Sequence, residues 1–553
     1  MKKILFIITG CIILNSCTRE FAETNTNPAD ILSANPEDLF PTALQASFGN
    51  SFEYYYDYYR GIMPWSQLTV SSNGNAQEFM NNAANMNARY ANFYGTYGGL
   101  LTDMIYIINN KTTQEQSRYV YVKSVARIMK VYYAWYVSDV NGSMPYLDAF
   151  QARYGGTKTP KYETQDQLYK IFDDELKEVV NQIQNTIATS QVTFGNKDLI
   201  YGGKMDKWIK AANTIRIKIA LRLSKRDPQR MAVIINDVIS KPLMTSPDDD
   251  FSIRGRRFTE HGNFNPSGFY GSAPLINFMV NKNDSLKNDP RLPIFFYRND
   301  YSESNIKTLI NAKLLPASDI SKVNNNRYIG GVTSPDAASK AREYNGARRR
   351  YNDKVYDTIS KVQERLWQPD FNAGSGNSIM PLITYSDLCL MKAELAFNKI
   401  IGGDPAVFYK QGIEASIETY NKIAKEAVVS NYIPTTPGQI GQFMSSPNIT
   451  YNPSIGLQQI YIQQFINYFK QPNEAWALIK RTGMPNESTL LKLEVLYGGG
   501  NLLKMPRRVA LPSPSKDNLN YINQQAALEE MQKDPGFGQQ PDNIQGRVWW
   551  DKQ

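Results

Sequence analysis

Apolar residues recur at helical spacing in several long segments of the chain. One such stripe comprises Val122, Val125, Met129, Tyr132 and Tyr136. Similar stripes run through residues 208–219 and 462–469. Residues three or four apart share one face of an α-helix, so each segment predicts an amphipathic helix with a core-facing stripe. Alternation with period two between hairpin turns is scarce, which argues against a sandwich or barrel. The sequence therefore predicts a mainly α fold.

The predicted helices also come in pairs. Residues 385–398 and 404–425 form two helical patterns that follow one another across Gly402-Gly403. Helical pairs of this size predict tetratricopeptide-like hairpins, although no regular repeat of about 34 residues is present. Residues 248–293 and 300–380 interrupt the helical pattern and are rich in Gly, Asn, Ser and Pro with interspersed aromatic residues. Irregular loops of this length in a compact domain are often functional.

The N-terminal residues have the pattern of an export signal. Met1-Lys2-Lys3 supplies the basic start, and residues 4–14 form an apolar stretch that is too short to span a bilayer. Leu14-Asn15-Ser16-Cys17 follows directly and has the pattern of a lipobox, in which a lipid is attached to the cysteine. The sequence therefore predicts a lipoprotein signal peptide over 1–16, a lipidated tether over 17–35 that starts at Cys17, and a folded domain over 36–553.

Few residues are available for catalysis or metal binding by histidine and cysteine. The chain has one histidine, His261, and three cysteines, of which Cys11 leaves with the predicted signal and Cys17 carries the predicted lipid. Zinc, haem and copper sites need several such ligands, so we expect neither a metal site nor a cofactor. His261 lies in a loop without a nucleophile motif nearby, and nucleotide-binding glycine motifs are absent. We therefore expect no catalytic residue and a protein that is not an enzyme.

The charged residues bear on two further classes of protein, nucleic-acid-binding proteins and glycan hydrolases. The formal net charge is +9, and removal of Lys2 and Lys3 with the signal lowers it to +7. No nucleic-acid motif accompanies this mild excess, so we expect no nucleic-acid partner, although a weak preference for acidic ligands stays open. The 52 acidic residues leave open a surface glycan hydrolase that uses a carboxylate pair. Its sequence candidates, Asp173-Asp174 and Glu529-Glu530, are typical of solvated helix faces.

A series of motifs runs in order along the chain. Each motif has a structural interpretation, because glycines at helix ends and tryptophans on apolar stripes hold a fold without any ligand. The motifs occupy residues 139–149, 198–222, 289–292, 385–394, 474–485, 506–508 and 548–551. This series resembles that of the SusD/RagB family of outer-membrane lipoproteins. Ser143 and Lys204 stand where the family usually has an acidic residue.

The resemblance implies a fold and a function. It implies a SusD-like fold with tetratricopeptide-like helical hairpins and long irregular loops, held by the N-terminal lipid at the outer membrane and facing the cell exterior. It also implies a surface protein that captures oligosaccharides or oligopeptides and delivers them, as a lid, to a SusC-like TonB-dependent transporter. No feature of the sequence decides between the two ligand classes.

Aromatic and amide residues in the loops are candidates for ligand contact. Aromatic rings stack on the apolar faces of sugars or peptide side chains, while amides satisfy hydroxyl and carbonyl groups. Family members place their binding loops on one exposed face, and core packing is the competing interpretation of such aromatic residues. The predicted ligand-binding residues are Trp65, Gln67, Phe264, Asn265, Phe269 and Tyr270.

Overall fold

The structure is a computed structural model and is described for residues 34–48, 53–71, 74–75, 87–186, 190–255, 269–322, 327–340, 348–369 and 375–552. Most of these residues are helical or lie in the connections between helices. The α-helices of eight or more residues are α1 Pro36–Phe48, α2 Gly98–Asn109, α3 Val120–Asn141, α4 Gln165–Asn185, α5 Met205–Arg222, α6 Pro228–Val238, α7 Glu303–Asn311, α8 Tyr385–Phe397, α9 Pro405–Glu426, α10 Pro437–Met444, α11 Gly456–Asn467, α12 Pro472–Thr482 and α13 Tyr521–Gln532. A π-helical segment, Glu53–Ile62, and several helices of three to seven residues complete the helical part.

Consecutive helices pack against one another along the chain. The pairs α3–α4, α4–α5 and α5–α6 pack in the N-terminal half, and α8–α9 and α11–α12 pack in the C-terminal half. Helix α3 also packs on α2, and α8 packs on α11, so the two halves form layered helical arrays. This arrangement confirms the predicted mainly α fold with paired helices and long irregular connections. The predicted pair over 385–398 and 404–425 agrees with α8 and α9 to within one residue at each end.

Short two-stranded sheets connect the helical layers. They are β1 Thr69–Ser71 with β3 Phe269–Gly271, β2 Phe251–Gly255 with β6 Ser378–Ile383, β4 Arg348–Tyr351 with β5 Lys354–Asp357, and β7 Tyr497–Gly498 with β8 Asn501–Leu502. All four pairings are antiparallel. Most of these strands lie in the stretches that the sequence predicted to be irregular, and α7 also forms there although no helix was predicted.

Local sequence explains where several helices begin and end. Thr164 and Thr384 each form a capping box, in which the threonine hydroxyl accepts the N–H of the third helical residue and that residue's side chain accepts the threonine N–H. Gly142 ends α3 with a φ of 80°, a conformation that side-chain-bearing residues rarely adopt. Gly483 ends α12 in the same way with a φ of 74°. These ends confirm the structural interpretation of the motif glycines.

Buried aromatic residues and ion pairs hold the helical layers together. Trp208 and Trp476 are fully buried, as their stripes predicted. Arg222 on α5 binds two buried carboxylates, with Nε 3.1 Å from Asp139 Oδ1 and Nη2 2.8 Å from Glu474 Oε2. The motifs at the ends of α3, along α5 and at the start of α12 therefore meet at one buried guanidinium. Buried charges need such partners because their desolvation is costly.

Candidate functional site

The structure brings four of the predicted ligand-binding residues into one layer. Strand β1 pairs with β3, so that Val70 lies opposite Tyr270 and Ser71 opposite Phe269. The Ser272 hydroxyl donates to the Gln67 carbonyl at 2.5 Å, which joins the segment after Trp65 to the segment after Tyr270. Cys17, Phe264 and Asn265 lie outside the described residues, as does His261.

Three of these four side chains are buried. Trp65 is 1% exposed and packs against Trp476, with ring centroids 5.4 Å apart. Tyr270 is 0% exposed and its hydroxyl donates to Asp357 Oδ1 at 3.1 Å. Phe269 is half-buried. In this conformation, Trp65 and Tyr270 support the layer from its interior, and direct contact between the four residues and a ligand stays a prediction.

Gln67 ties together three segments that are distant in the chain. It has a left-handed backbone with a φ of 57°, and its side chain is 5% exposed. Its Nε2 donates to the Glu494 carbonyl at 2.8 Å, and its Oε1 accepts from the Glu494 N–H at 2.9 Å and the Thr333 hydroxyl at 3.0 Å. The Glu494 carboxylate in turn accepts from the Thr333 N–H at 2.8 Å. Gln67 therefore fixes the positions of the loops around this layer.

A cleft of about 650 Å³ opens where the loop layer meets the C-terminal helices. The layer reaches it through backbone bonds, in which Val362 N–H donates to the Phe269 carbonyl and Gln363 N–H to the Phe295 carbonyl. Its volume falls in the range of small-molecule sites. The lining residues come from four parts of the chain: Ser285, Leu286, Asn288, Asp289, Pro290, Leu292, Pro293, Phe296, Tyr297 and Arg298; Arg327 and Tyr328; Gln363; and Ser430, Asn431, Ile433, Thr435 and Gln439.

The cleft combines aromatic rings with amide and guanidinium groups. Tyr297 is half-buried, and burial raises the pKa of its phenol to about 12, with side-chain hydrogen bonds to Ser430 and Glu364. Tyr328 is buried beneath Arg298, whose guanidinium carbon lies 6.0 Å from the ring centroid. Asn288, Asn431 and Gln439 supply amides. Such a set can stack on a sugar ring and satisfy its hydroxyl groups.

Sequence reasoning missed this cleft. The residues 248–293 and 300–380 were recognised as loops with functional potential, and both contribute lining residues. Two further contributors lie outside these loops: residues 296–298 between them, and residues 430–439 after α9, a stretch without an aromatic cluster. The available signal was Asp289-Pro290-Arg291-Leu292, whose Asp289 lies in the cleft wall.

The carboxylates that a glycoside hydrolase would use can be located in the structure. Asp289 is the single carboxylate among the described lining residues of this cleft, and it is held by Arg291, whose Nη2 lies 2.7 Å from Oδ2. Asp173 is bound by Arg216 at 2.7 Å, and Asp174 and Glu529 are exposed on helices. Glu530 lines a second cleft, of about 470 Å³, with Asp166 and Asp534, and each of these three carboxylates is paired with a cation, respectively Lys533, Arg230 and Arg226. Two carboxylates that flank a scissile bond would have to converge in one open cleft.

One buried acidic cluster lies elsewhere in the molecule. Glu53 and Asp57 face Arg89, whose Nε is 3.8 Å from Asp57 Oδ2, and burial raises the pKa of Asp57 to about 7. Glu53 borders a cavity of about 30 Å³. A volume of this size holds about one water molecule and no sugar ring. The cluster therefore belongs to the packing between the π-helical segment and α3.

No group of three or more His, Cys, Asp or Glu side chains in the described part of the chain is placed to hold a metal ion. None of the helices described above combines the length and the apolar character that crossing a membrane requires.

Comparisons with known proteins place the chain in a family. Residues 28–512 match the SusD-like family model described as starch-binding and associating with the outer membrane. A chitin-binding protein of known structure has 21% identity and a TM-score of 0.68, over 94% of this chain and all of that one. A chitin-binding SusD homologue from Flavobacterium johnsoniae has 19% identity and a TM-score of 0.63, over 94% of this chain and 99% of that one.

A SusD homologue from Bacteroides fragilis shares the fold as well. It has 19% identity and a TM-score of 0.63, over 94% of this chain and all of that one. No curated protein matches the sequence. Because the family model covers most of the chain and these structures share its fold from end to end, the chain belongs to the SusD/RagB family of nutrient-binding proteins associated with the outer membrane.

Proposed function

We propose that this protein captures oligosaccharides at the cell surface and delivers them to a TonB-dependent transporter of the outer membrane. The observation that carries the proposal is the match of residues 28–512 to a family described by starch binding and the outer membrane. Two proteins of the same fold are named as chitin-binding, which favours an oligosaccharide over an oligopeptide as the ligand.

The cleft of about 650 Å³ supports this proposal by its size and its chemistry. A cleft in this range accommodates a few sugar rings and can bury much of their surface. Tyr297 offers an aromatic edge at the surface, and the amides of Asn288, Asn431 and Gln439 offer donors and acceptors for hydroxyl groups. The sequence-predicted residues around β1 and β3 lie on the adjoining layer and remain a second proposed contact region.

A protein that binds without covalent change accounts best for the carboxylates. Asp289 is neutralised by Arg291, and Glu53 and Asp57 are enclosed with Arg89. A hydrolase would need one carboxyl with a raised pKa beside a second one in an open cleft. The non-enzymatic role is therefore preferred to the glycan hydrolase.

The lipid anchor is part of the proposal and can be tested by itself. Cys17 follows the predicted signal, and α1 begins at Pro36, so about 18 residues would separate the lipid from the first helix. We expect radiolabelled palmitate to be incorporated into the wild-type protein and not into Cys17→Ala. Labelling of Cys17→Ala equal to that of wild type would show that the lipid is attached elsewhere.

Calorimetry of residues 18–553 tests ligand capture. The titrants are matched panels of chito-oligosaccharides, malto-oligosaccharides and oligopeptides, each followed by mass spectrometry of the recovered ligand. We expect saturable binding of an oligosaccharide that is recovered intact. Binding of peptides alone would reject the glycan assignment, and a shortened oligosaccharide would reject the non-enzymatic role.

Delivery to a transporter needs a separate experiment. The full-length lipoprotein with a C-terminal affinity tag is expressed in its own host, and outer membranes are solubilised in mild detergent. We expect a TonB-dependent barrel to co-purify in a fixed ratio, whereas a tagged unrelated lipoprotein purified in parallel should not retain it. Isolation of the protein without a barrel would contradict the proposed delivery.

A further inference from the structure

Two guanidinium groups face the same cleft, and neither has a carboxylate partner among the described residues. Arg298 is exposed and lies over the ring of Tyr328 at 6.0 Å. Arg327 directly precedes Tyr328, and its Nε donates to the Asn299 carbonyl at 3.1 Å. The two arginines therefore flank one aromatic ring in the cleft wall.

Arg327 is held in position by its backbone. It has a left-handed φ of 53°, and its carbonyl accepts the Asn299 N–H at 2.7 Å. Its own guanidinium returns to the carbonyl of the same Asn299, and this reciprocal arrangement limits the side chain to a narrow range of positions. A guanidinium that is already positioned loses less conformational entropy when it binds a ligand.

The acidic groups near the cleft are already matched by cations or hydrogen bonds. Asp289 forms a two-point contact with Arg291, at 2.9 Å from Nε and 2.7 Å from Nη2, and both residues are buried. Glu364 is buried next to the lining residue Gln363, and burial raises the pKa of its carboxyl group. Lys361 Nζ lies 3.9 Å from this carboxylate, which also accepts a hydrogen bond from Tyr297. Asp289 and Glu364 are therefore not ion-pair partners of Arg298 or Arg327.

We propose that the ligands of this cleft are anionic oligosaccharides whose sugar carboxylates bind Arg298 and Arg327. The inference rests on the proposed glycan-binding function and specifies its ligand class. Guanidinium groups bind carboxylates through paired, charge-assisted hydrogen bonds, which are stronger than bonds between neutral groups. Tyr297 and the amides of the cleft then contact the uncharged faces and hydroxyl groups of the same sugar. An acidic peptide shares the carboxylate but lacks the hydroxyl-rich ring that this combination fits.

The test compares charged ligands with neutral ligands of the same backbone. Residues 18–553 are titrated with oligogalacturonate and oligomannuronate, with their methyl esters, with neutral chito- and malto-oligosaccharides, and with oligoglutamate. The variants are Arg298→Gln, Arg327→Gln and the double variant, which keep amide donors and remove charge. Arg118→Gln is the matched control, because Arg118 is exposed at the end of a short helix of the N-terminal half. Urea unfolding midpoints verify that each variant is folded.

We expect a uronate oligosaccharide to bind about tenfold or more tightly than its methyl ester, since the ester cannot form charge-assisted bonds. Raising the salt concentration should weaken binding of the uronate oligosaccharide and leave binding of its methyl ester unchanged. Arg298→Gln, which changes an exposed side chain, should reduce the preference for the acid over the ester. The double variant should bind the acid and the ester equally, and Arg118→Gln should match wild type.

Other outcomes distinguish a failure of this inference from a failure of the proposed glycan-binding function. Binding of neutral oligosaccharides without preference for the acids, or equal affinities for wild type and Arg298→Gln, overturns the anionic class and leaves glycan capture standing. Binding of oligoglutamate alone assigns the cleft to acidic peptides and overturns the glycan class. Absence of binding to every oligosaccharide overturns both proposals.

Discussion

Removal of Arg291 should destabilise the protein strongly, because its guanidinium is buried with its partners. Its Nε and Nη2 bind Asp289 at 2.9 and 2.7 Å, its Nη1 donates to the Ser416 hydroxyl at 2.9 Å, and Nη2 also donates to Gln463 Oε1 at 2.8 Å. Arg291 is 0% exposed and Asp289 is 1% exposed. Arg291→Ala leaves an uncompensated buried carboxylate and two acceptors without their donor, so we expect a loss of about 3–5 kcal/mol in the free energy of unfolding.

Urea unfolding followed by tryptophan fluorescence measures this loss. The double variant Asp289→Asn/Arg291→Met removes both charges and should lose less than Arg291→Ala, by about 1 kcal/mol or more, because no charge is then left buried alone. Lys307→Ala is the control, since it breaks an exposed pair with Glu303 and should leave the midpoint unchanged. Two results would refute the reasoning: a loss below about 1 kcal/mol for Arg291→Ala, or a loss for the double variant that equals the sum of the losses for Asp289→Asn and Arg291→Met.

Three further predictions follow from buried or strained positions. Burial lowers the pKa of Lys480 to about 7, so the unfolded chain binds more protons between pH 7 and about 10.5, and stability rises with pH there. The free energy of unfolding of the wild-type protein should therefore rise between pH 7.5 and 9.5, and in Lys480→Met this rise should be smaller by up to about 2.5 kcal/mol. Urea titrations at both pH values measure the rise, and an equal rise in the two proteins would disprove this. Trp65→Phe should lower the urea midpoint, because the smaller ring leaves space beside Trp476, and an unchanged midpoint would show that the indole does not support the layer. Gly142→Ala should cost about 1–3 kcal/mol in thermal unfolding, because φ is 80° and the new Cβ would lie 2.9 Å from Met531 Sδ; a stable variant would show that the turn relaxes.

The helices could be predicted from sequence because their buried stripes are long. The pattern over 404–425 spans six turns, and both it and its partner over 385–398 agree with α9 and α8 to within a residue. Helix α7 was missed because it has only two turns and two buried residues, Ile306 and Leu309, within a loop-like composition. A short amphipathic signal of that kind cannot be separated from loop sequence.

The site was harder to predict than the fold. An aromatic residue in a loop can face a ligand or fill the core, and no periodicity distinguishes the two at Trp65 or Tyr270. The structure places both inside the loop layer. The cleft escaped prediction because Tyr297, Arg327 and Asn431 come together only through the packing of three separate segments.

The most direct test of glycan capture by this cleft is the affinity of wild type and Tyr297→Ala for one oligosaccharide, measured by calorimetry under identical conditions. Tyr297 lies half-buried in the cleft wall, so truncation removes an aromatic contact without opening the core. The account predicts saturable binding of an intact ligand by wild type and an affinity about tenfold lower for the variant. Equal affinities, or no saturable binding by wild type, would contradict it.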